Sequence, residues 1–443
     1  MYKFDVTLSA KTSMKERLVW MLYLGITFFL LYGSANQYAG LTAPHNVFVF
    51  EWEKNIPFIE AFIIPYMFSD LMFVFAFFLA YTRLELRVLA LRIFFIVSFS
   101  VLMFLLFPLQ FSFEKPEAET FTFLFTVLQA DLPFNQAPSL HVSFSIVLWF
   151  SMASQIKSAF LKGLLAIWFT SIALSTLFVY QHHFIDLPTG ALVGFLAVYF
   201  ISEKKENSVL KAFMTPRSLK MALYYLVGAI VFVLLAFNIS VFFVYIALSL
   251  FLVSVIYAFG LNGWLTSSSL TEYFLKYALF APYILGNTLS WFYYKRKIPL
   301  MTEVKENVYF GRLYDAEEGK SLKEKNIKNI INLATEHFLV KVAIEPRVYN
   351  LPFLDQIIPS PELLHKAVLL IEEHKKEPIY IHCALGLSRS VLVVSAWLLY
   401  TGHDRDEVEE IIKRVRPNYV KSAYMGIALD IYTDYRLSLK KGK

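Results

Sequence analysis

Cysteine is nearly absent from this chain: Cys383 is the only one in 443 residues. An internal disulfide is therefore excluded, and with it the small disulfide-framed secreted folds. Charge is sparse too, with 17% Asp, Glu, Lys and Arg against 57% hydrophobic residues. That balance, with a mean hydropathy of +0.53, is too apolar for a soluble globular average. There is no glycine-rich nucleotide loop, and no Cys/His spacing fits a metal, so the expected chemistry needs neither cofactor nor metal. The net charge of +6 does not argue for nucleic acid, because the basic residues flank apolar segments, as membrane topology requires. The N-terminal "MYKFDVTLSAKTSMKERLVW" lacks a small-residue cleavage site after its first apolar run, which reads as a retained helix.

What the chain does have is long apolar runs. A spanning helix needs about 20 mostly apolar residues. Candidates lie near 18–35, 61–81, 93–110, 141–156, 163–180, 187–202, 221–237 and 241–258. Lys3, Lys11, Lys15 and Arg17, then Arg83, Arg87 and Arg92, then Lys157 and Lys162, then Lys204, Lys205, Lys211, Arg217 and Lys220 fall in alternate loops. The positive-inside rule puts those loops in the cytoplasm. The intervening loops carry Glu51, Glu53, Glu114, Glu117, Glu119 and Asp131 with few cations, so they face outward.

Those outward loops hold ionisable groups at a membrane edge, which are functional candidates by default. His141 opens the fourth segment; His182, His183 and Asp186 open the sixth. His182 and Asp186 are four apart and share a face on a helical turn, while His183, three before Asp186, can also reach it. A carboxylate there would fix an imidazole tautomer and raise its basicity. Histidines at helix ends can also serve only as interfacial anchors. Two motifs in order on one face favour chemistry over anchoring.

"PSLH" (138–141) and "STLFVYQHHFID" (175–186) resemble the second and third motifs of the type-2 phosphatidic acid phosphatase superfamily. Within it they look like the inositol phosphorylceramide synthase-like branch, in which the small Gly of "PSGH" becomes bulkier. "IPFIEAFIIPY" (56–66) resembles that branch's outer segment. The resemblance implies a six-helix core, His182 as a nucleophile forming a phosphohistidine, and Asp186 orienting it. It implies His141 as the acid that protonates the leaving group, with Ser139 and a cation holding the phosphate. Lys115-Pro116 stands where the branch has Arg-Pro, Pro108 where the first motif has a lysine, and Thr176 where the phosphatases have a phosphate-binding Arg. These departures lean toward group transfer rather than simple phosphatidic acid hydrolysis.

Residues 221–258 read as a helical hairpin, followed by a polar break, "FGLNGWLTSSSLTE". "EYFLKYALFAPYILGNTLSWFYYKRK" is long enough for a ninth span, with Pro282 and Gly286 as kinks. Lys276, Tyr283, Asn287 and Ser290 lie on one stripe, and Lys295, Arg296 and Lys297 close the segment. An interfacial helix after eight crossings is expected, which leaves the C-terminus in the cytoplasm.

From Asn307 the pattern becomes that of an ordinary soluble α/β domain. "NVYFGR", "NIINL", "RVYNLPF" and "PIYIH" read as strands; "SPELLHKAVLLIEEHKK", "SRSVLVVSAWLLYTG" and "RDEVEEIIKRVRP" read as helices. The alternation implies a largely parallel sheet. Cys383 ends a strand and Arg389 opens a helix, with Gly386 and Ser388 in the loop between. Such a loop turns its N–H groups inward and cradles an anion. Those donors, the helix dipole and Arg389 all favour thiolate over thiol. Cys383 can then attack phosphorus, Arg389 can grip two phosphate oxygens, Asp355 can protonate the leaving oxygen, and Ser390 can assist the sulfur as it leaves. A buried structural cysteine, the common fate of a lone thiol, does not explain this spacing.

His-Cys, five residues, Arg-Ser is similar to the signature of the cysteine phosphatases, and residues 305–437 resemble the dual-specificity phosphatase family. "NIINLATE", the Asp355 loop and "IIKRVRPNYV" fall where that family has matching elements. The resemblance implies Cys383 as nucleophile, Arg389 as phosphate binder, Asp355 as acid and His382 tuning the thiol. Leu385 departs from the Ala common there, and Ala384 and Leu387 supply no cation for a polyphosphorylated head group.

The expected organisation is a membrane domain over 1–205, a further hairpin and interfacial helix over 206–300, and a phosphatase domain over 301–443. The expected protein is a multi-pass phosphatase of the plasma or inner membrane. Its histidine site would face outward, toward a phospholipid or sphingolipid phosphate. Its cysteine site would face the cytoplasm, toward a lipid or phosphoprotein phosphomonoester. The alternatives are a head-group transferase with a trimming phosphatase, and a phosphatase whose membrane half is only an anchor.

Overall fold

A computed structural model describes residues 10–129, 131–202, 216–261, 270–337 and 346–441. Lys3, Lys204, Lys205, Lys211 and most of the polar break after Gly260 lie outside the described residues. The chain forms two compact units, one ending at Lys211 and one beginning at Ala212.

The first unit is helical: α1 (Met14–Thr42), α2 (Ile63–Leu79), α3 (Arg83–Leu106), a short α4 (Thr122–Leu128), α5 (Leu140–Ala153), α6 (Ala159–Phe178) and α7 (Asp186–Phe200). Capping boxes start two of them, Ser13 with Glu16 on α1 and Thr82 with Glu85 on α3, and Glu16 also pairs with Arg83. The central helix is α5, which packs on α2, α3, α6 and α7. Its contact with α7 is close because two glycines face it. A Cβ on Gly190 would stand 2.4 Å from the Ser139 carbonyl, and one on Gly194 3.0 Å from the Ser143 carbonyl.

The second unit begins with a tight hairpin, α8 (Pro216–Asn238) and α9 (Phe242–Phe259), then α10 (Leu270–Leu279) and α11 (Ala281–Lys295). The segment expected as one kinked interfacial helix is two helices. The break falls at Phe280 rather than at Gly286, because Pro282 in the first turn of α11 starts a helix instead of bending one. The polar stripe is also corrected: Tyr283 is buried, not presented to solvent. Among the described residues, six helices are long and apolar enough to cross a membrane: Met14–Thr42, Glu60–Leu79, Arg83–Leu106, Ala159–Phe178, Arg217–Asn238 and Phe242–Phe259. Two more of the expected spans, Leu140–Ala153 and Asp186–Phe200, are apolar but shorter.

The rest is an α/β domain with β1 (Met301–Lys305), β2 (Val308–Arg312), α12 (Gly319–Glu324), β3 (Asn329–Asn332), β4 (Arg347–Asn350), α13 (Pro361–His374), β5 (Ile379–Cys383), α14 (Arg389–Tyr400), α15 (Arg405–Val415) and α16 (Ala423–Lys441). The sheet order is β1-β2-β5-β3-β4, parallel except for the β1–β2 pair. The sheet is thus mixed, with an antiparallel edge strand that sequence periodicity missed. Ile379, Ile381 and Cys383 of β5 face a core that α13 to α16 complete, while Tyr380 packs in a second cluster with Tyr309, Tyr314 and Ile330. The buried β5 at the centre puts Cys383 at the C-terminal edge of the sheet, where α/β folds bind ligands.

Candidate active sites

In the helical unit, the packing of α5 on α7 joins the two histidine motifs. Ser139 caps α5, and its backbone N–H donates to the Asp186 carbonyl at 3.0 Å. The ring of His141 stacks on Tyr66 with centroids 4.2 Å apart and lies 6.2 Å from the ring of His182. The His182 Nδ1 sits 3.0 Å from Asp186 Oδ2, and the His183 backbone N–H donates to the same oxygen at 3.0 Å.

Spacing left His182 and His183 as equal candidates; their surroundings separate them. The His183 Nδ1 is 3.2 Å from Glu53 Oε2, and its Nε2 accepts from the Ser112 N–H at 3.3 Å. Both nitrogens are occupied, and burial lowers its basicity against the opposing pull of Glu53 and Asp186. His182 donates from Nδ1 to a carboxylate, which leaves its Nε2 lone pair free among the described residues. Glu53 is 1% exposed and also accepts from the Phe184 N–H, so it fixes the turn that carries both histidines. It counted in the sequence only as an outward acid, because its partners are 130 residues away.

The Ser139 side chain is fully buried, and its Oγ has no partner among the described residues. Lys115 lies 5.7 Å over the ring of Phe111 and within electrostatic reach of Asp131. Asp131 accepts from Tyr32 at 2.8 Å and Asn36 at 2.6 Å, and it feels His182 as well. Burial pushes its carboxyl above the ordinary range despite those partners. Thr176 is buried, and its carbonyl accepts from the His182 N–H at 3.1 Å. It holds the backbone of His182 and brings no charge.

In the α/β domain the strand–loop–helix geometry closes around sulfur. The Gly386 N–H donates to Cys383 Sγ at 3.2 Å, and Ser390 Oγ lies 3.5 Å from the same atom. Gly386 has φ +69°, and a Cβ there would meet the Gly311 carbonyl carbon at 2.4 Å and Arg416 Nη2 at 2.6 Å. Arg416, 2% exposed, donates from Nε to the Gly386 carbonyl at 3.2 Å and so holds the loop at the residue whose own N–H reaches the sulfur. Ser388 pairs with the Tyr424 hydroxyl.

Arg389 is buried but not spent. Its Nη1 donates to the carbonyls of Leu333 at 3.1 Å and Phe353 at 2.9 Å, and its two Nη groups clamp the Glu336 carboxylate. The Nε has no hydrogen-bond partner among the described residues and stands 3.5 Å from Asp355 Oδ1. Burial opposes the charge on Glu336, but Arg389 outweighs it and holds the carboxyl below its ordinary range. Glu336 follows "NIINLAT" directly, yet its role depends on a partner 53 residues on, which no local pattern gives.

His382 takes a different position from that expected. Its ring stacks on Tyr380 (5.6 Å) and meets Tyr314 edge-on (5.8 Å), on the face of β5 opposite the thiol. It is fully buried, and burial pushes its pKa down to about 3 against the opposing pull of a backbone hydrogen bond at Cys383. The ring is thus neutral and lies behind the strand, beside the backbone of Cys383 rather than its thiol.

Residues 107–209 match the PAP2 superfamily, and residues 308–432 match the dual specificity phosphatase catalytic domain. Among curated proteins, the chain is 32% identical over 79 residues to a probable chloroplastic NAD kinase 2 of Oryza sativa subsp. japonica. That match covers 18% of this chain, which spans only 8% of that protein's length. Among solved structures, Tk-PTP in its active form is similar at 24% identity over 30% of this chain and 97% of its own, with a TM-score of 0.27. A mouse dual specificity phosphatase is similar at 18% identity over 32% of this chain and 91% of its own, with a TM-score of 0.30. The chain therefore carries a PAP2 superfamily domain followed by a dual specificity phosphatase catalytic domain.

Proposed function

We propose that this protein is a membrane-bound phosphatase with two independent phosphoryl-transfer sites, one built on histidine and one on cysteine. The observation that carries the reading is the free edge of Arg389 beside Cys383: a buried guanidinium, anchored by Glu336, with its Nε unpartnered next to a thiol that accepts from the Gly386 N–H. Phosphate oxygens fill that edge and the loop's N–H groups. The Cys383 sulfur then attacks phosphorus, the bond to the leaving oxygen breaks, and Asp355 gives that oxygen its proton. Water next cleaves the S–P bond, Asp355 takes up the water's proton, and Ser390 donates to the departing sulfur. Inorganic phosphate leaves.

At the other site His182 Nε2 attacks phosphorus while Asp186 holds its Nδ1 proton, and His141 protonates the leaving oxygen. Ser139 and Lys115 bind the phosphoryl oxygens. The substrate is a phospholipid or sphingolipid phosphate. Resolution of the phosphohistidine by a lipid hydroxyl in place of water is the second reading. It is favoured by Thr176 and Pro108, which stand where phosphatases of this type have phosphate-binding cations. The charge pattern supports a multi-pass protein with its histidine site outside and its cysteine site in the cytoplasm.

The test uses purified protein, a lipid labelled in its phosphate, and a hydroxylated acceptor lipid. Free phosphate that disappears in His182→Ala supports hydrolysis, and labelled acceptor supports transfer. If His182→Ala leaves every lipid activity intact while Cys383→Ser abolishes phosphatase activity, the membrane half is only an anchor.

A further inference from the structure

The cysteine site is backed by the helices that lead into the α/β domain. Within the second unit, α10 and α11 hold the backbone directly behind the phosphate loop. The Tyr277 hydroxyl donates to the carbonyl of Thr335, the residue before Glu336, at 2.8 Å. Trp291 Nε1 donates to the Leu313 carbonyl at 3.2 Å, and the Leu313 N–H donates to the carbonyl of Ala384, next to Cys383, at 3.1 Å. Lys295 pairs with Asp315. The same α11 packs on α9 and meets α8 through tyrosines: Tyr225 lies edge-on to Tyr283 at 5.6 Å and stacks on Tyr257 at 5.5 Å. Tyr257 and Tyr283 are 2% and 7% exposed, and Tyr283 shares hydrogen bonds with both of the others. Tyr277 on α10 holds Thr335, the residue before the Glu336 that clamps Arg389, so the helix pair that carries this cluster also braces the arginine clamp.

Depth follows from the helix. Arg217 and Lys220 mark the polar end of α8, and Tyr225 lies one to two turns further on, about 7 Å along the axis from Lys220. The headgroup layer on each side of a bilayer is only about 5–7 Å thick. The tyrosines thus sit at the boundary of head groups and acyl chains, where their amphipathic rings are at home. Because Tyr277 holds the residue before Glu336, a phosphate held by Arg389 would then lie close to the membrane surface. A phosphorylated protein side chain would have to be pressed against that surface, whereas a lipid phosphate is already there.

We propose that the cysteine site takes a membrane-resident lipid phosphomonoester, received along the Tyr225–Tyr257–Tyr283 wall, with one phosphate on its head group. The single phosphate follows from Ala384 and Leu387, which add no cation to the loop. The proposal rests on the reading of Cys383 as nucleophile, and the experiment separates the two.

Full-length His182→Ala protein, which silences the other site, is reconstituted in phosphatidylcholine vesicles. It is given a long-chain lipid whose glycerol head group ends in a phosphomonoester, a tyrosine-phosphorylated peptide, and p-nitrophenyl phosphate. The lipid is expected to exceed the peptide in kcat/KM by about 100-fold or more. Tyr225→Ala is expected to lower the lipid-to-arylphosphate ratio of kcat/KM by about tenfold. Tyr283→Phe, which keeps the ring packing, is expected to raise KM for the lipid more than for the arylphosphate. A peptide turned over as well as the lipid, or ratios unchanged in both variants, overturns the proposal. Arylphosphate turnover that survives Cys383→Ser overturns the reading of the cysteine site instead.

Discussion

Gly386 is the residue on which the cysteine loop turns. Its positive φ and its three close neighbours, on Gly311, Arg312 and Arg416, leave no room for a side chain, and its N–H is the donor that reaches the sulfur. Gly386→Ala is expected to lower kcat/KM for an aryl phosphate by about 10²-fold or more, the usual cost of one preorganised donor. Retained thermal stability would show that the loop, not the fold, was lost. His382 gives a second expectation at this scale. Its pKa falls from an unfolded value of about 6.5 to about 3 in the fold, because burial excludes the charged form. A depressed folded pKa means that the contribution is fully present above the unfolded pKa and is lost as pH falls toward the folded one. The wild-type domain should therefore lose about 1.4 kcal/mol per pH unit between roughly pH 6 and pH 3 relative to His382→Leu. Chemical denaturation at several pH values measures the difference, and parallel curves would refute it.

At the scale of elements, the histidine site depends on how closely two helices approach. Gly190 and Gly194 let α7 lie against the backbone of α5, and that contact brings His141 within 6.2 Å of His182. Gly190→Leu must move the Ser139 carbonyl, and a displacement of about 1 Å at a reacting group can cost about 10²-fold. The lipid activity of the histidine site should fall by at least that much. Turnover at Cys383, in the other unit, should persist, and equal loss of both would point to global misfolding. The same helices show what a sequence can and cannot reveal. The strand before Cys383 and the helix after it were legible because β-rich and apolar runs are local, and the His182–Asp186 pair because its spacing is helical. Glu336, Arg416 and Glu53 were not, since each acts on a partner 30 to 130 residues away. The short β1 was missed because it is only partly buried and lacks a clean alternation. The break at Phe280 was misplaced because Gly286 looks like a kink, while Pro282 makes a new helix start.

At the scale of the whole molecule, the proposed sidedness rests on charge rather than packing. Arg217 and Lys220 lie in the first turns of α8, and Lys295, Arg296 and Lys297 close α11, so both ends of the segment leading into the α/β domain are cationic. Neither α10 nor α11, at 10 and 15 residues, reaches the length of about 20 residues that a crossing needs. On the proposed reading, the hairpin of α8 and α9 would return the chain to the side it left, and the positive-inside rule would make that side the cytoplasm. Cys383 is a poor reporter of this, because its thiol is 3% exposed. Lys376, on the exposed turn after α13, serves better. With Lys376→Cys in a Cys383→Ser background the chain has a single accessible thiol. A membrane-impermeant maleimide should leave it unlabelled in intact cells and label it fully once the membrane is permeabilised. Labelling from outside would require an odd number of crossings before the α/β domain. It would put the cysteine chemistry on the same side as the acidic loops around His182.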